Sequence, residues 1–313
     1  MDHFADRLAD AVLAKGNSVS VGLDPRWELL PKEIRLRHGN SDLSSVGSAY
    51  EEFCNRVIDI VAPLVPVVKA QSAFYEAAGP TAWAALSRIL ARARQRGLLT
   101  IWDGKRNDIA ATAAAYADTA FGGAMIDGRR HPIFNADATT VNPYLGRDVV
   151  EPFLESAARD GRGVFVLVRT SNPGAGQFQD LDCSGRPLFM RVAEAVAAWA
   201  GETRGRSGFG SVGAVVGATY PAEMAALRAA LPSVWFLIPG YGAQGGSAAG
   251  AAPAFGDDGL GAVVNNSRGI ISSFDPQARD WEASIETATK QMARELKAAT
   301  SMTRLAERRT VGH

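Results

Sequence analysis

Hydrophobic positions along the chain fall into short, almost unbroken apolar runs separated by longer stretches of helical spacing. The runs predict strands near Ser18–Leu23, Val65–Ala70, Leu98–Asp103, Ala138–Asn142, Val164–Arg169, Val212–Gly217, Val234–Pro239 and Gly261–Asn265. Helical patterns lie between them, at Tyr50–Val61, Thr81–Arg94, Ala110–Ala120, Arg147–Arg159, Leu188–Gly201 and Ala222–Leu231. Strand–helix alternation implies parallel strands joined by right-handed crossovers. Strands apolar on both faces are those covered on both faces. Eight such units predict an α/β protein of the (β/α)8 TIM barrel type, with a doubly wound open sheet as the alternative.

Length agrees with this. A chain of 313 residues with 47% hydrophobic content can fill one barrel, and we expect one domain over residues 1–302, followed by a frayed, basic tail at 303–313. Met1–Lys15 carries mixed charges and apolar residues at helical spacing, unlike a signal peptide, and Asp280–Met302 reads as an amphipathic closing helix. Residues 24–47, 122–136 and 172–187 read as loop insertions, the second as surface decoration.

Charge and composition remove several function classes. Lysine plus arginine equals aspartate plus glutamate, 33 each, without a basic stripe interleaved with aromatics, so no nucleic-acid partner is expected. No apolar run is long enough to span a bilayer, so no membrane partner is expected. The two cysteines, Cys54 and Cys183, fit neither a disulfide framework nor a metal cluster, and a reducing, cytoplasmic setting follows. His3, His38, His131 and His313 all lie away from the predicted strand ends, which argues against a Ser-His-Asp triad or a histidine zinc site.

Barrel enzymes carry their chemistry at the C-terminal strand ends. The third strand ends Asp103-Gly-Lys105-Arg-Asn-Asp108-Ile109: two acids with a lysine between them. Asp103 and Lys105 are two apart and on an extended backbone share a face. Charges at a core strand end need partners, so a reactive site is favoured over a salt-bridged rim. The two acids could hold magnesium, but Lys105 competes as the counter-charge. Lys69 and Lys105 could instead form Schiff bases, although carboxylates around Lys105 suit it to proton donation. The seventh strand ends Gly240-Tyr-Gly-Ala-Gln244-Gly-Gly and the eighth Asn266-Ser-Arg268-Gly, where barrels commonly hold phosphate. The first of these matches G-x-G-x-x-G, but it lies late in the chain and no ribose-binding acid ends the next strand, so a dinucleotide site is rejected.

These motifs, in this order, resemble orotidine 5′-phosphate decarboxylase. Asp103-Gly-Lys105-Arg-Asn-Asp108-Ile109 is similar to its D-x-K-x-x-D-I signature. Val21-Gly-Leu-Asp24-Pro, Val68-Lys69, the glycine-rich stretch with Gln244, and Asn266-Ser-Arg268-Gly resemble further landmarks of its longer branch, from about Asp24 to Ile270. D-x-K-x-x-D alone is shared with sister sugar-phosphate decarboxylases that use magnesium. That branch more often has glycine at position 107, and Asn107 also tolerates positive φ.

The resemblance implies decarboxylation of orotidine 5′-phosphate to UMP and CO2 in pyrimidine biosynthesis, without cofactor or metal. It implies that Lys105 protonates C6 beside Asp103 and that Lys69 orders the charged chain and meets the ribose. Asp24 would accept a ribose hydroxyl, Ser171 would contact the pyrimidine amide edge, and Gln244 and Arg268 would hold the phosphate. It further implies a homodimer with shared active sites, in which Asp108 and Thr112 reach the partner's ribose. The rival readings are a magnesium-dependent sugar-phosphate decarboxylase, a Schiff-base aldolase, and a non-catalytic phosphometabolite-binding barrel.

Overall fold

The computed structural model describes residues 2–39, 42–218, 221–242 and 245–300. Gln244 and the tail at 303–313 lie outside the described residues. The strands are β1 (Val19–Gly22), β2 (Val67–Gln71), β3 (Leu99–Arg106), β4 (Ala124–Ile126), β5 (Arg129–His131), β6 (Ala138–Val141), β7 (Gly163–Arg169), β8 (Val212–Val216), β9 (Phe236–Ile238) and β10 (Ala262–Asn266). Eight of them close a parallel barrel in the order β1-β10-β9-β8-β7-β6-β3-β2, and each sits on one of the eight predicted runs. The other two, β4 and β5, pair antiparallel as a hairpin inside the 122–136 segment. His131 therefore does end a strand, but one outside the barrel.

The predicted helices form with small changes at their ends, at Pro80–Gln95, Ala110–Ala120, Arg147–Asp160, Leu188–Gly201 and Pro221–Ala230. Tyr50–Val61 is the second half of a longer helix, Leu43–Val61, which starts at an Asp42 cap whose carboxylate accepts from the Ser44 amide at 2.6 Å. Helix Trp281–Ala299 closes the chain. The remaining insertions hold short helices, Lys32–His38 in the first and Gly176–Gln179 in the third.

Strand parity makes two cores. One parity of each strand packs outward against the surrounding helices, with Val68, Trp102 and Val164 among the buried residues. The other parity points into the barrel, where Val67, Ile101, Ala138, Phe165, Val215, Leu237 and Val263 pack with Phe4, Leu8 and Val12 of the helix Phe4–Lys15. That helix seals the N-terminal mouth; the Phe4 ring meets Phe165 edge-on with centroids 6.0 Å apart. Continuing four of the inward rows by two residues toward the C-terminal mouth replaces apolar side chains with polar ones: Val67 by Lys69 and then Gln71, Ile101 by Asp103, Ala138 by Thr140, Val263 by Asn265. The site is thus the upper layer of the barrel's own interior.

Candidate active site

Asp103 is the centre of that layer. It is 4% exposed and its two oxygens carry four donors. Oδ1 accepts from Lys105 Nζ at 2.6 Å and Thr140 Oγ1 at 2.8 Å. Oδ2 accepts from Lys69 Nζ at 2.7 Å and Gln71 Nε2 at 3.2 Å. Four donors fill the acceptor capacity of a carboxylate. Strand register brings them together: Gln71 lies opposite Asp103 in the β2–β3 pairing, and Lys69 stands one inward step below.

Lys69 is as buried as Asp103, at 5% exposed. Burial opposes its ammonium, but attraction from Asp103 and Asp24 wins and holds its pKa above the ordinary lysine value. Burial likewise opposes the Asp103 carboxylate, and the two lysines overcome it, holding that pKa well below the usual carboxylate range. Asp24 is steadied by the Gln71 backbone N–H, which donates to its Oδ1 at 2.9 Å.

Lys105 reaches the site differently from the simple alternation expected of it. Its backbone is left-handed, φ +46, and the β3–β6 register shifts between Trp102 and Arg106. This irregularity, rather than an extended strand, aims the side chain back toward Asp103, as bulges beside sites do. The Lys105 amide donates to Thr140 Oγ1 at 2.9 Å, so one hydroxyl fixes both the bulge and the carboxylate. The left-handed positions of this stretch are Lys105 and Ala110, φ +44, and not Asn107. With 40% of its side chain exposed, Lys105 faces the cavity while Lys69 lies beneath.

The cavity above holds about 570 Å³ and is lined by Asp24, Lys69, Asp103, Lys105, Ser171 and Arg268 among the residues expected from sequence. Its ionisable lining sets Arg26, Lys69, Lys105 and Arg268 against Asp24 and Asp103, two net positive charges, which favours an anionic ligand. Ser171 is seated against Gly217: a Cβ there would fall 2.9 Å from both the Ser171 amide nitrogen and its Cβ, so only glycine permits the approach. Arg169, just before it, ties β7 to its surroundings, pairing with Glu223 at 2.7 Å and with Asp180 of the 172–187 segment at 2.7 Å. Arg268 opens the short helix Arg268–Ile271, and Asn266 Oδ1 accepts from the Gly269 amide at 3.0 Å. Asp108 and Thr112 do not line their own chain's cavity. The Asp108 carboxylate accepts from the Ile109 amide at 2.7 Å, and Thr112 is exposed.

Sequence reasoning gave no role to Gln71, Thr140, Arg26, Phe74 or Tyr241, which also line the cavity. The i, i+2 spacing of Lys69 and Gln71 was the available signal for Gln71. Among the described residues, no three His, Cys, Asp or Glu side chains converge as a metal-ligand set.

This geometry agrees with the comparisons. Residues 17–280 match the model of the "Orotidine 5'-phosphate decarboxylase / HUMPS family". The chain belongs to that family. It is 46% identical over 301 residues to an orotidine 5′-phosphate decarboxylase of Rhodopirellula baltica, covering 94% of this chain and 99% of the relative. A decarboxylase of the same description from Caldicellulosiruptor bescii is 36% identical over 305 residues, covering 96% and 100%. The solved OMP decarboxylase of Leishmania donovani superposes with a TM-score of 0.73 at 33% identity, covering 95% of this chain and 98% of that one. The matched residues span all eight barrel strands.

Proposed function

We propose that Lys105, Asp103 and Lys69 carry the chemistry of this protein, a carboxy-lyase that decarboxylates orotidine 5′-phosphate to UMP and CO2 in pyrimidine biosynthesis. The observation that carries the residue assignment is a buried carboxylate whose oxygens each bind one lysine, with one lysine beneath and the other facing the cavity.

The C6–carboxylate bond breaks, CO2 leaves, and the electron pair remains on C6 without an ordinary electron sink. The Lys105 ammonium, fixed by Asp103, stabilises that charge without reorganisation. Its proton then forms the C6–H bond, and Lys105 recovers a proton from solvent. Asp103 sets a second negative charge beside the substrate carboxylate, so loss of CO2 relieves a repulsion. Lys69 holds Asp103 ionised and meets the ribose. Asp24 takes a ribose hydroxyl, Ser171 the amide edge of the base, and Gln244 and Arg268 the phosphate. Phosphate binding is remote from C6, and its energy aligns the base, so phosphate contacts act on kcat as well as KM. The reaction in this reading uses no cofactor or metal.

The protein acts as a cytoplasmic homodimer in which Asp108 and Thr112 complete the partner's site. Two observations support this. Both residues lie outside their own cavity. Large apolar side chains in the neighbouring stretches of sequence are exposed: Ile109 next to Asp108, the hairpin's Met125 and Ile126, and Tyr144 and Leu145 ahead of the next helix. Isologous pairing would cover such side chains. No helix among the described residues is long and apolar enough to cross a membrane.

Two experiments test the proposal. Orotidine 5′-phosphate is added to purified protein in excess EDTA while the pyrimidine absorbance is followed. Full turnover is expected and eliminates the magnesium-dependent rival; no change in absorbance counts against the decarboxylase assignment. Second, Lys105→Ala and Asp108→Ala proteins, each inactive or severely impaired alone, are mixed under conditions that exchange subunits. A hybrid dimer has one intact site, so activity should return. Flat activity after confirmed exchange sinks the shared site and leaves the decarboxylase assignment standing.

A further inference from the structure

We propose that Tyr241 and Glu295 are positioning residues for phosphate binding, through which the C-terminal helix Trp281–Ala299 holds the glycine turn after β9. The inference rests on the phosphate reading of that turn and of Arg268, and extends it to Tyr241, which lines the cavity, and to Glu295, which does not.

The stretch 240–246 reads Gly-Tyr-Gly-Ala-Gln-Gly-Gly. Gly240, Gly242 and Gly245 have φ of +94, +71 and +85, conformations glycine adopts freely but loses much entropy in holding. The turn closes on itself, with Gly242 N donating to Gly246 O at 2.8 Å and Gly246 N to Gly240 O at 3.1 Å. Both bonds lie within the turn. Tyr241 is its one aromatic, and the side chain is buried. The Tyr241 hydroxyl donates to the Glu295 carboxylate on the closing helix. Burial and the carboxylate both raise the phenol's pKa, so it stays a donor at any working pH. Gln291 Nε2 donates to the other Glu295 oxygen at 3.0 Å, one helical turn back. The same helix packs on Ala248–Ala251, just after the glycine turn, and on Arg268–Ile271, which begins with Arg268. Both strand-end arms therefore lean on one brace, and the Tyr241–Glu295 hydrogen bond is a polar link to the glycine-rich arm.

The test compares Tyr241→Phe, Glu295→Ala and Glu295→Gln with wild type, using inhibition constants of UMP and of uridine together with kcat and KM. Arg268→Ala serves as the reference for lost phosphate contact. Tyr241→Phe and Glu295→Ala should each weaken UMP by about fivefold to tenfold, less than the full worth of one charge-assisted hydrogen bond because the bond acts on the phosphate only through the turn. Uridine binding should be unchanged. Glu295→Gln should recover most of the loss, because its amide oxygen still accepts. Wild-type UMP affinity in Tyr241→Phe overturns the inference, and so do equal losses for UMP and uridine, which mark a merely structural role. If Arg268→Ala discriminates between the two ligands while Tyr241→Phe does not, the brace fails and the phosphate reading stands. If neither discriminates, the phosphate reading fails and takes the brace with it.

Discussion

Replacing Asp103 by asparagine keeps the shape of the side chain and removes its charge. One amide oxygen can still serve Lys105 and Thr140 on the Oδ1 side. On the other side an NH2 group would meet Lys69 Nζ, now 2.7 Å from Oδ2, donor against donor. Lys69 is 5% exposed, so its ammonium would be buried without its principal counter-charge and would have to shed its proton. Removing one partner of a buried ion pair costs about 3–5 kcal/mol. With unfolding entropy near 2.1 cal/mol/K per residue, a chain of this length gains about 0.66 kcal/mol/K, so Tm should fall by about 5–8 °C. Turnover should fall by at least about 10²–10³-fold, because Lys105 loses the group that aims it. Adding Lys69→Met removes the orphaned charge and should restore much of the Tm without restoring turnover, the coupling a double-mutant cycle reads. Thermal melts at pH 7, run beside the turnover assay, decide the matter. If Asp103→Asn melts with wild type, Lys69 does not depend on Asp103 for its charge and the reasoning is wrong.

Arg268→Ala should weaken UMP far more than uridine, by the roughly 1.5–3 kcal/mol of a charge-assisted contact, and equal losses would mean that Arg268 does not touch the phosphate. The stability gap between wild type and Asp103→Asn should also depend on pH. Asp103 is depressed in the folded state, so its contribution is full above its unfolded pKa of about 3.9 and is lost as pH falls through the folded value. Lys69 is raised, so its contribution is full below about 10.4 and is lost as pH rises through the folded value. The gap should be widest between those limits and close on both sides; a gap that widens into acid contradicts the pairing. Arg228 donates to the carbonyls of Ala254, Leu231, Val234 and Gly261 at 2.7–3.0 Å and stacks 3.8 Å from the Phe236 ring centroid. Arg228→Met should cost at least ~2 kcal/mol by thermal melt while leaving KM in place.

The barrel was legible because a strand covered on both faces writes itself as an apolar run, and eight such runs stand out. The hairpin β4–β5 was not, since its three-residue strands are exposed on every side and carry no alternation. Helices such as Ser72–Ala77 and Gly176–Gln179 are too short for periodicity to show. Asp103, Lys105 and Lys69 were legible as charges at the ends of apolar runs. Gln71 and Thr140 were not, because uncharged polar residues are ordinary at strand ends and only register shows them converging on one carboxylate. The left-handed Lys105 was hidden as well: the bulge depends on how β3 pairs with β6, and no residue type announced it.

The most direct test of the central claim is Lys105→Ala, assayed for turnover of orotidine 5′-phosphate and for binding of UMP on the same preparation. Lys105 is the more exposed of the two lysines that line the cavity, so its loss should lower kcat by at least about 10²–10³-fold while UMP binding stays measurable. A variant that turns over near the wild-type rate would remove Lys105 from the mechanism.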